Sequence, residues 1–228
     1  MVQANSDRVN RWVIAQCWSH VSFLSFRCKT ELIRGMVPPS LEIGVFDGSG
    51  WLSIVPFHMS HIRFPYTPPL PWISLWELNL RTYVTYDGRP GIYFFTLDTD
   101  NWLGRTIAKY CFHLPYRFRK MNGRQRENRL SFTSLGSFQM DVESGALVES
   151  DALDVWLVER YHLYTNHKRK LYRGDVLHKP WKLRELKVVS YEDNLSPQFG
   201  FNSASEIHAR FAEPLDVRFR PFVRLESF

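Results

Sequence analysis

The strongest constraint on the fold is a pair of alternating segments joined by a tight turn, at residues 77–86 and 91–99. The first reads ELNLRTYVTY and the second GIYFFTLDT, and both are rich in β-branched and aromatic residues. The intervening YDGRPG contains an Asp-Gly step, which favours a hairpin turn. The pattern therefore predicts an antiparallel hairpin, and an isolated hairpin needs further strands or helices against it to be stable.

Other segments show the same strand pattern, separated by turn residues and by stretches with helical spacing. We predict strands in VSFLSF, LEIGVFD, WLSIVPFHMSHIRF, RLSFTSL, KLYRGDVLH, RELKVVSY and LDVRFRPFVRL. The Asn122-Gly123 step predicts a two-residue turn before RLSFTSL. Helical turns are predicted within residues 8–20, and helices in TELIRGM, in NWLGRTIAKYCF and in ALDVWLVERYHLYT at 152–165.

No segment has the composition of an interdomain linker, so residues 1–228 are predicted to form one domain. Its class is α+β, with a mostly antiparallel sheet and three or four helices packed outside it. A large set of twisted antiparallel strands tends to curl and close, because closure removes exposed edges. The sequence carries no signal for an oligomeric state.

Charge and cysteine content bear on the partners and on the location of the protein. The chain of 228 residues has a formal net charge of +6, which suits an anionic ligand but is also usual for a soluble surface. Three cysteines without close spacing indicate reduced thiols. The N-terminal MVQANSDRVNRW lacks the apolar run of a signal peptide, and no window is long and apolar enough for a membrane span. We therefore expect a cytoplasmic protein without a membrane partner.

The sequence does not favour three other kinds of site. The basic run RFRKMNGRQRENR (117–129) mixes cations with aromatics as nucleic-acid-binding proteins do, yet it surrounds a predicted turn, where exposed charge is ordinary. His58 and His61 would lie on opposite faces of a strand, and a zinc site needs further ligands, so no metal is expected. Neither a Walker A loop nor a G-x-G-x-x-G fingerprint occurs, and we expect no cofactor.

The proline-rich segment FPYTPPLPWIS (64–74) cannot pair within a central strand. We predict an ordered loop or lid there. Its aromatic residues Phe64, Tyr66 and Trp72 either cover the mouth of a pocket or pack over the end of the sheet.

Several stretches, taken in order, resemble the YqjF-like group of uncharacterised bacterial proteins. They cover most of the chain and read VPPSLEIGVFDGSGWLSIVPFHM, LPWISLWELNLRTYV, GRPGIYFFTLD, LPYRF, ERYHLY and LYRGDVLHKPW. That group in turn resembles acetoacetate decarboxylase more distantly, through ELIRGMVPPSLEI, WELNLRTYV and the run from FTLDTDNWLGRTI to LPYR. The resemblance implies a cone-shaped, partly closed β-barrel with a central pocket. It also sets Glu77 where the decarboxylase has an acidic active-site residue.

The resemblance fails at the residues that carry the decarboxylase chemistry. Where that enzyme has a pair of lysines after a proline, this chain has Tyr116 and Arg117 after Pro115. Schiff-base catalysis needs a neutral amine, which neither a phenol nor a permanently protonated guanidinium supplies. Lys109 lies on a predicted helix, and Lys120 lies about 13 Å further along the strand, so neither suits the role. We therefore expect no Schiff-base chemistry at this corner.

Polar side chains alternate along 77–86, and one face of the predicted strand carries Glu77, Asn79, Arg81 and Tyr83. That face lines a pocket or meets solvent, and the resemblance favours the pocket for Glu77.

Tyr116 can donate or accept a hydrogen bond, and Arg117 offers a fork that matches a carboxylate. Arg160 and Arg173 fit the pattern of buried arginines in structural ion pairs, with ligand contact left open for Arg173. The predicted ligand-binding set is Glu77, Asn79, Arg81, Tyr116 and Arg117. No catalytic residue is identified, and Glu77 and Tyr116 are the candidates.

Three functions stay open at this point. The first is binding of a small organic molecule, neutral or acidic, in the central pocket without Schiff-base chemistry. The second is a lyase- or hydrolase-like enzyme on the same barrel, with Glu77 as acid or base and Tyr116 or Arg117 polarising a carbonyl. The third is a non-catalytic structural or partner-binding domain whose interior is filled by side chains.

Overall fold

The structure is a computed structural model that describes residues 12–102, 114–202 and 206–227. Within these ranges it contains sixteen strands, two α-helices and one turn of 3-10 helix at Ser196–Phe199. The strands are β1 (Ile14–Ser19), β2 (Val21–Cys28), β3 (Glu42–Ile43), β4 (Gly50–Arg63), β5 (Leu75–Tyr86), β6 (Arg89–Thr99), β7 (Tyr116–Phe118), β8 (Met121–Arg126), β9 (Arg129–Ser134), β10 (Phe138–Leu147), β11 (His162–His167), β12 (Lys170–Leu177), β13 (Leu183–Asp193), β14 (His208–Ala212), β15 (Leu215–Phe219) and β16 (Val223–Ser227). The helices are α1 (Thr30–Arg34) and α2 (Ala152–Val158).

The strands of the described ranges form one sheet, part of which closes into a ring. Strand β4 has fourteen residues, long enough for β5 to pair along one edge while β1 and β2 divide the other. The path from β4 through β5, β6, β11, β12, β15 and β1 therefore returns to β4 and encloses an interior. From β2 the sheet extends outward through β14, β13, β10 and β9 to β8.

This arrangement confirms the predicted α+β class and the mostly antiparallel, partly closed barrel. Only two of the described strand pairings are parallel, β6 with β11 and β6 with β7. The predicted hairpin that begins at residue 77 is formed by β5 and β6. The predicted helix in NWLGRTIAKYCF falls largely on residues 103–113, which lie outside the described part of the chain.

Buried apolar side chains form two clusters, one on each face of β5. The first cluster lies inside the ring, and the second lies between the ring and the extended part of the sheet. Because alternate residues of a strand point to opposite faces, Leu78 and Leu80 join the second cluster, and the polar residues between them face the ring interior. Every residue from 77 to 84 is therefore buried.

Helix α2 is shorter than the helix predicted over 152–165. It begins with a capping box, in which Asp151 and Asp154 each accept a hydrogen bond from the other's backbone N–H. It ends at Val158, and His162–His167 form β11 instead. Strand β11 pairs with β6 on one edge and with β12 on the other, and this two-sided pairing overrides the helical spacing of the sequence.

Residues 14–19 form a strand, which corrects the helical turns predicted within 8–20. Strand β1 pairs with β15 on one edge and with β4 on the other, and so it closes the ring. Alternate residues of IAQCWS face the ring interior, which is the period of a strand. The part of the predicted segment before Trp12 lies outside the described residues.

Gly123 does not form the predicted turn. It lies inside β8 opposite Phe132, and a Cβ at this position would meet the ring of Trp76 at 2.0 Å. The glycine is therefore required for close packing of β8 over Trp76. The turn of this hairpin lies at Glu127 and Asn128, where Glu127 has a positive φ of 52°.

Candidate functional site

A cavity of about 70 Å³ lies inside the ring, surrounded by the first apolar cluster. Four of the five residues predicted to bind a ligand line it: Glu77, Asn79, Arg81 and Tyr116. Among the other described lining residues, Gln16, Arg160 and His178 add an amide, a guanidinium and an imidazole to mainly aromatic and aliphatic walls. A few polar groups that converge within an apolar lining are typical of small-molecule sites.

The inward direction of the three polar residues on β5 is set by its pairing on both edges. Glu77 lies opposite Phe57 of β4 and Thr99 of β6, and Arg81 lies opposite Ser53 of β4. A slip of one residue would carry the intervening leucines into the ring and the polar side chains into the second apolar cluster. The burial pattern of β5 therefore holds the polar residues at the cavity.

Tyr116 donates a hydrogen bond to Glu77, which brings the two catalytic candidates into contact. Strand β7 presents Tyr116 by pairing in parallel with β6, where Tyr116 lies beside Leu97. Glu77 is 2% exposed, and burial raises its pKa to about 7, against the opposing effect of hydrogen bonds from Tyr116 and Asn79. Burial and the Glu77 carboxyl raise the pKa of Tyr116 well above its ordinary value. Glu77 can therefore gain or lose a proton near neutral pH while the phenol keeps its own.

Arg81 is 8% exposed and forms no ion pair with any described residue. Its guanidinium carbon lies 5.2 Å from the ring centroid of Phe23, and its Nε has no hydrogen-bond acceptor. Asn79 donates to Glu77 at 3.3 Å, but its Oδ1 is likewise buried without a donor. Buried polar groups of folded proteins almost always have partners. Arg81 Nε and Asn79 Oδ1 are therefore buried polar atoms beside the cavity that have no hydrogen-bond partner among the described residues.

Arg160 brings a second guanidinium to the same cavity from the connection between α2 and β11. Its guanidinium carbon lies 4.6 Å from the ring centroid of Trp156 and 5.7 Å from that of Tyr83, and its buried Nε has no acceptor. Burial lowers the pKa of Arg160, and the charge of Arg81 acts in the same direction. The cavity is therefore lined by two guanidinium groups that form no ion pair with a carboxylate of the described residues.

Arg117 does not line the cavity, although it follows Tyr116 directly. Successive residues of a strand point to opposite faces, and Arg117 lies over Phe199 on the side of the second apolar cluster. Its Nε and Nη2 donate to Asp98 at 2.7 Å and 3.0 Å. Arg119 donates to the same carboxylate at 2.7 Å. The predicted set therefore divides between the cavity and a separate ion-pair cluster.

The sequence prediction leaves out three polar residues of the lining, Gln16, Arg160 and His178. Gln16 lies on β1, and the alternation of IAQCWS is the signal that could have placed it inside. His178 follows β12, its ring centroid lies 4.7 Å from that of Tyr161 in a tilted arrangement, and burial lowers its pKa. Arg160 lies between regular elements, where no local pattern sets its direction.

Other residues weighed in the sequence lie away from the cavity. Arg173 pairs with Asp175 at 2.8 Å on β12, which is a structural ion pair. His58 hydrogen-bonds Ser74 at 2.7 Å, and His61 hydrogen-bonds the neighbouring serine. In the described ranges no three His, Cys, Asp or Glu side chains are placed to hold a metal ion. The helices of the described residues include none with the length and apolar character that crossing a membrane requires.

The chain matches one protein family over most of its length. The profile of the DUF2071 family, described as an uncharacterized conserved protein, covers residues 15–216. The chain is also 34% identical over 221 residues to the uncharacterized protein YqjF of Bacillus subtilis (strain 168). That match covers 92% of this chain and 91% of YqjF. The matched family range contains all the polar residues of the cavity described above.

Solved structures with the same fold come from proteins of low sequence identity. The enduracididine biosynthesis enzyme MppR complexed with pyruvate matches with a TM-score of 0.67 at 12% identity, over 95% of this chain and 92% of that chain. An acetoacetate decarboxylase-like enzyme from Sphingomonas wittichii RW1 matches with a TM-score of 0.67 at 13% identity, over 96% and 95%. Acetoacetate decarboxylase from Legionella pneumophila gives 0.65 at 12% identity, over 93% and 88%. These likenesses establish the fold.

Proposed function

Since the chain belongs to the DUF2071 family and has the fold of acetoacetate decarboxylase-like proteins, we propose that its ring cavity binds a small organic acid without forming a Schiff base. The carboxylate of the ligand pairs with Arg81 and Arg160. Glu77 and Tyr116 hydrogen-bond an oxygen elsewhere on the molecule. The observation that carries the proposal is Arg81, which is 8% exposed at the cavity wall, has a buried Nε without a hydrogen-bond acceptor and forms no ion pair with a described residue.

The energetics of a buried cation support an acidic ligand. A charge that is taken out of water without a counter-ion opposes folding, and a well-aligned carboxylate offsets that cost with two parallel hydrogen bonds. Arg160 adds a second cation, so that one carboxylate meets two guanidiniums. Among proteins of this fold, MppR is described in complex with pyruvate, which is a small oxo acid.

Two observations support binding without Schiff-base chemistry. Tyr116 contacts Glu77 at the corner where the resemblance places a lysine pair, and a phenol cannot form an imine. The described residues that line the cavity also include no lysine. Lys120, next to this corner, is exposed, and Lys109 lies outside the described residues.

A melting-temperature screen tests the proposal, because a ligand that binds only the folded state must stabilise it. The panel contains acetate, pyruvate, acetoacetate and benzoate, each beside its neutral amide, at about pH 6 so that Glu77 stays protonated. We expect acids but not amides to raise the melting temperature of the native chain. Arg81→Met abolishes that rise, and Arg117→Met, the matched control outside the cavity, preserves it.

Two results would contradict the proposal. One is a panel in which no acid stabilises the native chain, which would favour a structural domain with a filled interior. The other is an acid-induced rise that persists in Arg81→Met. Borohydride treatment with pyruvate or acetoacetate tests the Schiff-base part separately, with acetoacetate decarboxylase as the positive control. We expect no mass increase on this chain, and a labelled lysine would overturn that part.

A second candidate function is acid–base catalysis of the lyase or hydrolase type at the same site. The observation that favours it is buried Glu77, with a pKa of about 7 and a hydrogen bond from Tyr116. Such a group donates a proton to a carbonyl when protonated and accepts one when ionised, near operating pH. Catalysis predicts that NMR detects consumption of an acid of the panel, and that Glu77→Gln keeps binding but stops consumption. Unchanged spectra for every acid that binds would restrict the site to binding.

A further inference from the structure

A second cavity, of about 80 Å³, lies next to the first beneath the proline-rich segment 64–74. Ten of the thirteen described residues that line it are apolar. The segment contributes Phe64, Leu70 and Ile73 to this lining, whereas Tyr66 and Trp72 face solvent. The segment therefore covers an apolar space, and only one of its three aromatic side chains takes part.

The two cavities adjoin each other and have lining residues in common. Five described residues line both of them: Gln16, Met59, Leu114, Tyr116 and Phe219. Along β5, Leu75 faces the apolar cavity, while Glu77 and Arg81 face the first cavity. At about 3.3 Å per residue, Leu75 and Arg81 are roughly 20 Å apart along the strand. The cationic groups and the apolar cavity therefore lie toward opposite ends of β5, with the Glu77–Tyr116 pair between them.

We infer that the ligand of this site is a carboxylic acid with an apolar chain, which pairs its carboxylate with Arg81 and Arg160 and extends its chain past Tyr116 into the apolar cavity. The inference rests on the proposed function, since it names the class of acid. A mainly apolar cavity offers few hydrogen bonds to water, and the atoms that line it lack contacts on one side. Methylene groups supply those contacts and leave water at the same time. A short acid would leave this space empty.

A chain-length series measured by isothermal titration calorimetry tests the inference. Acetate, butanoate, hexanoate, octanoate and decanoate are titrated into the full chain at about pH 6, below the pKa of Glu77. We expect affinity to rise about fourfold for each methylene that enters the apolar cavity, and to level off when the cavity is full. The neutral alcohol 1-octanol should bind about tenfold or more weakly than octanoate, because it lacks the charge that pairs with the guanidiniums.

A variant that fills the apolar cavity tests whether the hydrocarbon chain of the ligand binds there. Leu70 lies in the proline-rich segment and lines the apolar cavity, and its exposed neighbour Pro69 offers a matched position. Leu70→Trp should remove the rise along the series and leave acetate binding unchanged. Pro69→Trp should behave like the native chain.

The outcomes separate this inference from the proposed function. If acetate binds but affinity stays flat along the series in the native chain, the inference fails and the proposed function stands. If no acid of any length binds, the proposed function itself fails. Binding of 1-octanol as tight as that of octanoate, or an unchanged series in Leu70→Trp, also overturns the inference.

Discussion

Two carboxyl groups on neighbouring strands, Glu77 of β5 and Asp98 of β6, are both buried, yet only Asp98 forms ion pairs with described residues. Arg117 and Arg119 each bring an Nε within 2.7 Å of the Asp98 carboxylate. Thr96 donates a further hydrogen bond to it at 2.9 Å. Asp98 thus has its charge partners inside the chain.

Glu77 has a different set of neighbours. Its hydrogen bonds come from the neutral donors Tyr116 and Asn79, and Arg81 on the same face of the strand stays unpaired. Burial raises the pKa of Glu77 to about 7, and the carboxyl holds its proton where an ordinary glutamate would be ionised. The charge of Arg81 opposes this rise in the pKa of Glu77, but no ion pair joins the two side chains.

The two clusters therefore differ in whether their buried polar groups have partners among the described residues. A buried charge with all its partners is costly to disturb, because removal of the partners leaves it uncompensated. A buried charge without partners already opposes folding, so its removal is tolerated or even favourable. Substitutions in the two clusters should therefore change stability in opposite directions.

The largest expected effect is in the Asp98 cluster. The double change Arg117→Met with Arg119→Met leaves a fully buried carboxylate without its cations, and the free energy of unfolding should fall by about 3–5 kcal/mol. Urea unfolding followed by tryptophan fluorescence measures this. Exposed Arg124 and Arg126 of β8 provide the matched control, and their double change to Met should cost less than about 1 kcal/mol. If both double variants lost a similarly small amount of unfolding free energy, the Asp98 cluster would not contribute to stability as expected.

The next effect is a pH dependence from Glu77. Folding raises its pKa from 4.5 to about 7, so between these values the folded chain keeps a proton that the unfolded chain releases. Its contribution to stability is therefore present at acidic pH and is lost as pH rises to about 7, by roughly 3 kcal/mol in total. Unfolding free energies of the native chain and of Glu77→Gln, measured across this range, should diverge accordingly. Parallel profiles would show that Glu77 titrates normally.

The smallest effect has the opposite sign. Arg81→Met removes an unpaired buried cation and keeps much of the side-chain volume, so the free energy of unfolding without ligand should rise by about 0.5–1 kcal/mol. Urea unfolding at neutral pH checks this against the losses expected for the Asp98 cluster. A fall of more than about 1 kcal/mol would mean that Arg81 has a partner within the chain and serves the fold.

Local patterns were enough to predict the strand that carries most of the site. The alternation of ELNLRTYVTY identifies Glu77, Asn79 and Arg81 as one face, and burial of both faces of β5 follows from the ring. The number of antiparallel strands predicted that the sheet would close, and the resemblance implied a cone-shaped, partly closed barrel. Neither identified β1 as the strand that closes the ring, because that closure joins residues that are distant in sequence. Local propensity gave the wrong secondary structure for two segments, β1 and β11. Both form strands because each pairs with another strand on both edges.

Two side chains illustrate why the site could be predicted only in part. Arg117 follows Tyr116 in sequence, but a strand directs neighbours to opposite faces, and the short β7 gave too little pattern to assign those faces. Arg160 enters the cavity from a connection, so its position depends on how α2 and β11 meet. Its unpaired Nε becomes visible only once the tertiary structure is known.

The central claim is that the guanidinium of Arg81 forms an ion pair with the carboxylate of a bound ligand. The most direct test is isothermal titration calorimetry of the acid that stabilises the native chain most, beside its isosteric amide, with the native chain and with Arg81→Met. The account predicts that the native chain binds the acid about tenfold or more tightly than the amide, and that Arg81→Met abolishes this preference. Equal affinity of the native chain for acid and amide, or an undiminished preference in Arg81→Met, would contradict it.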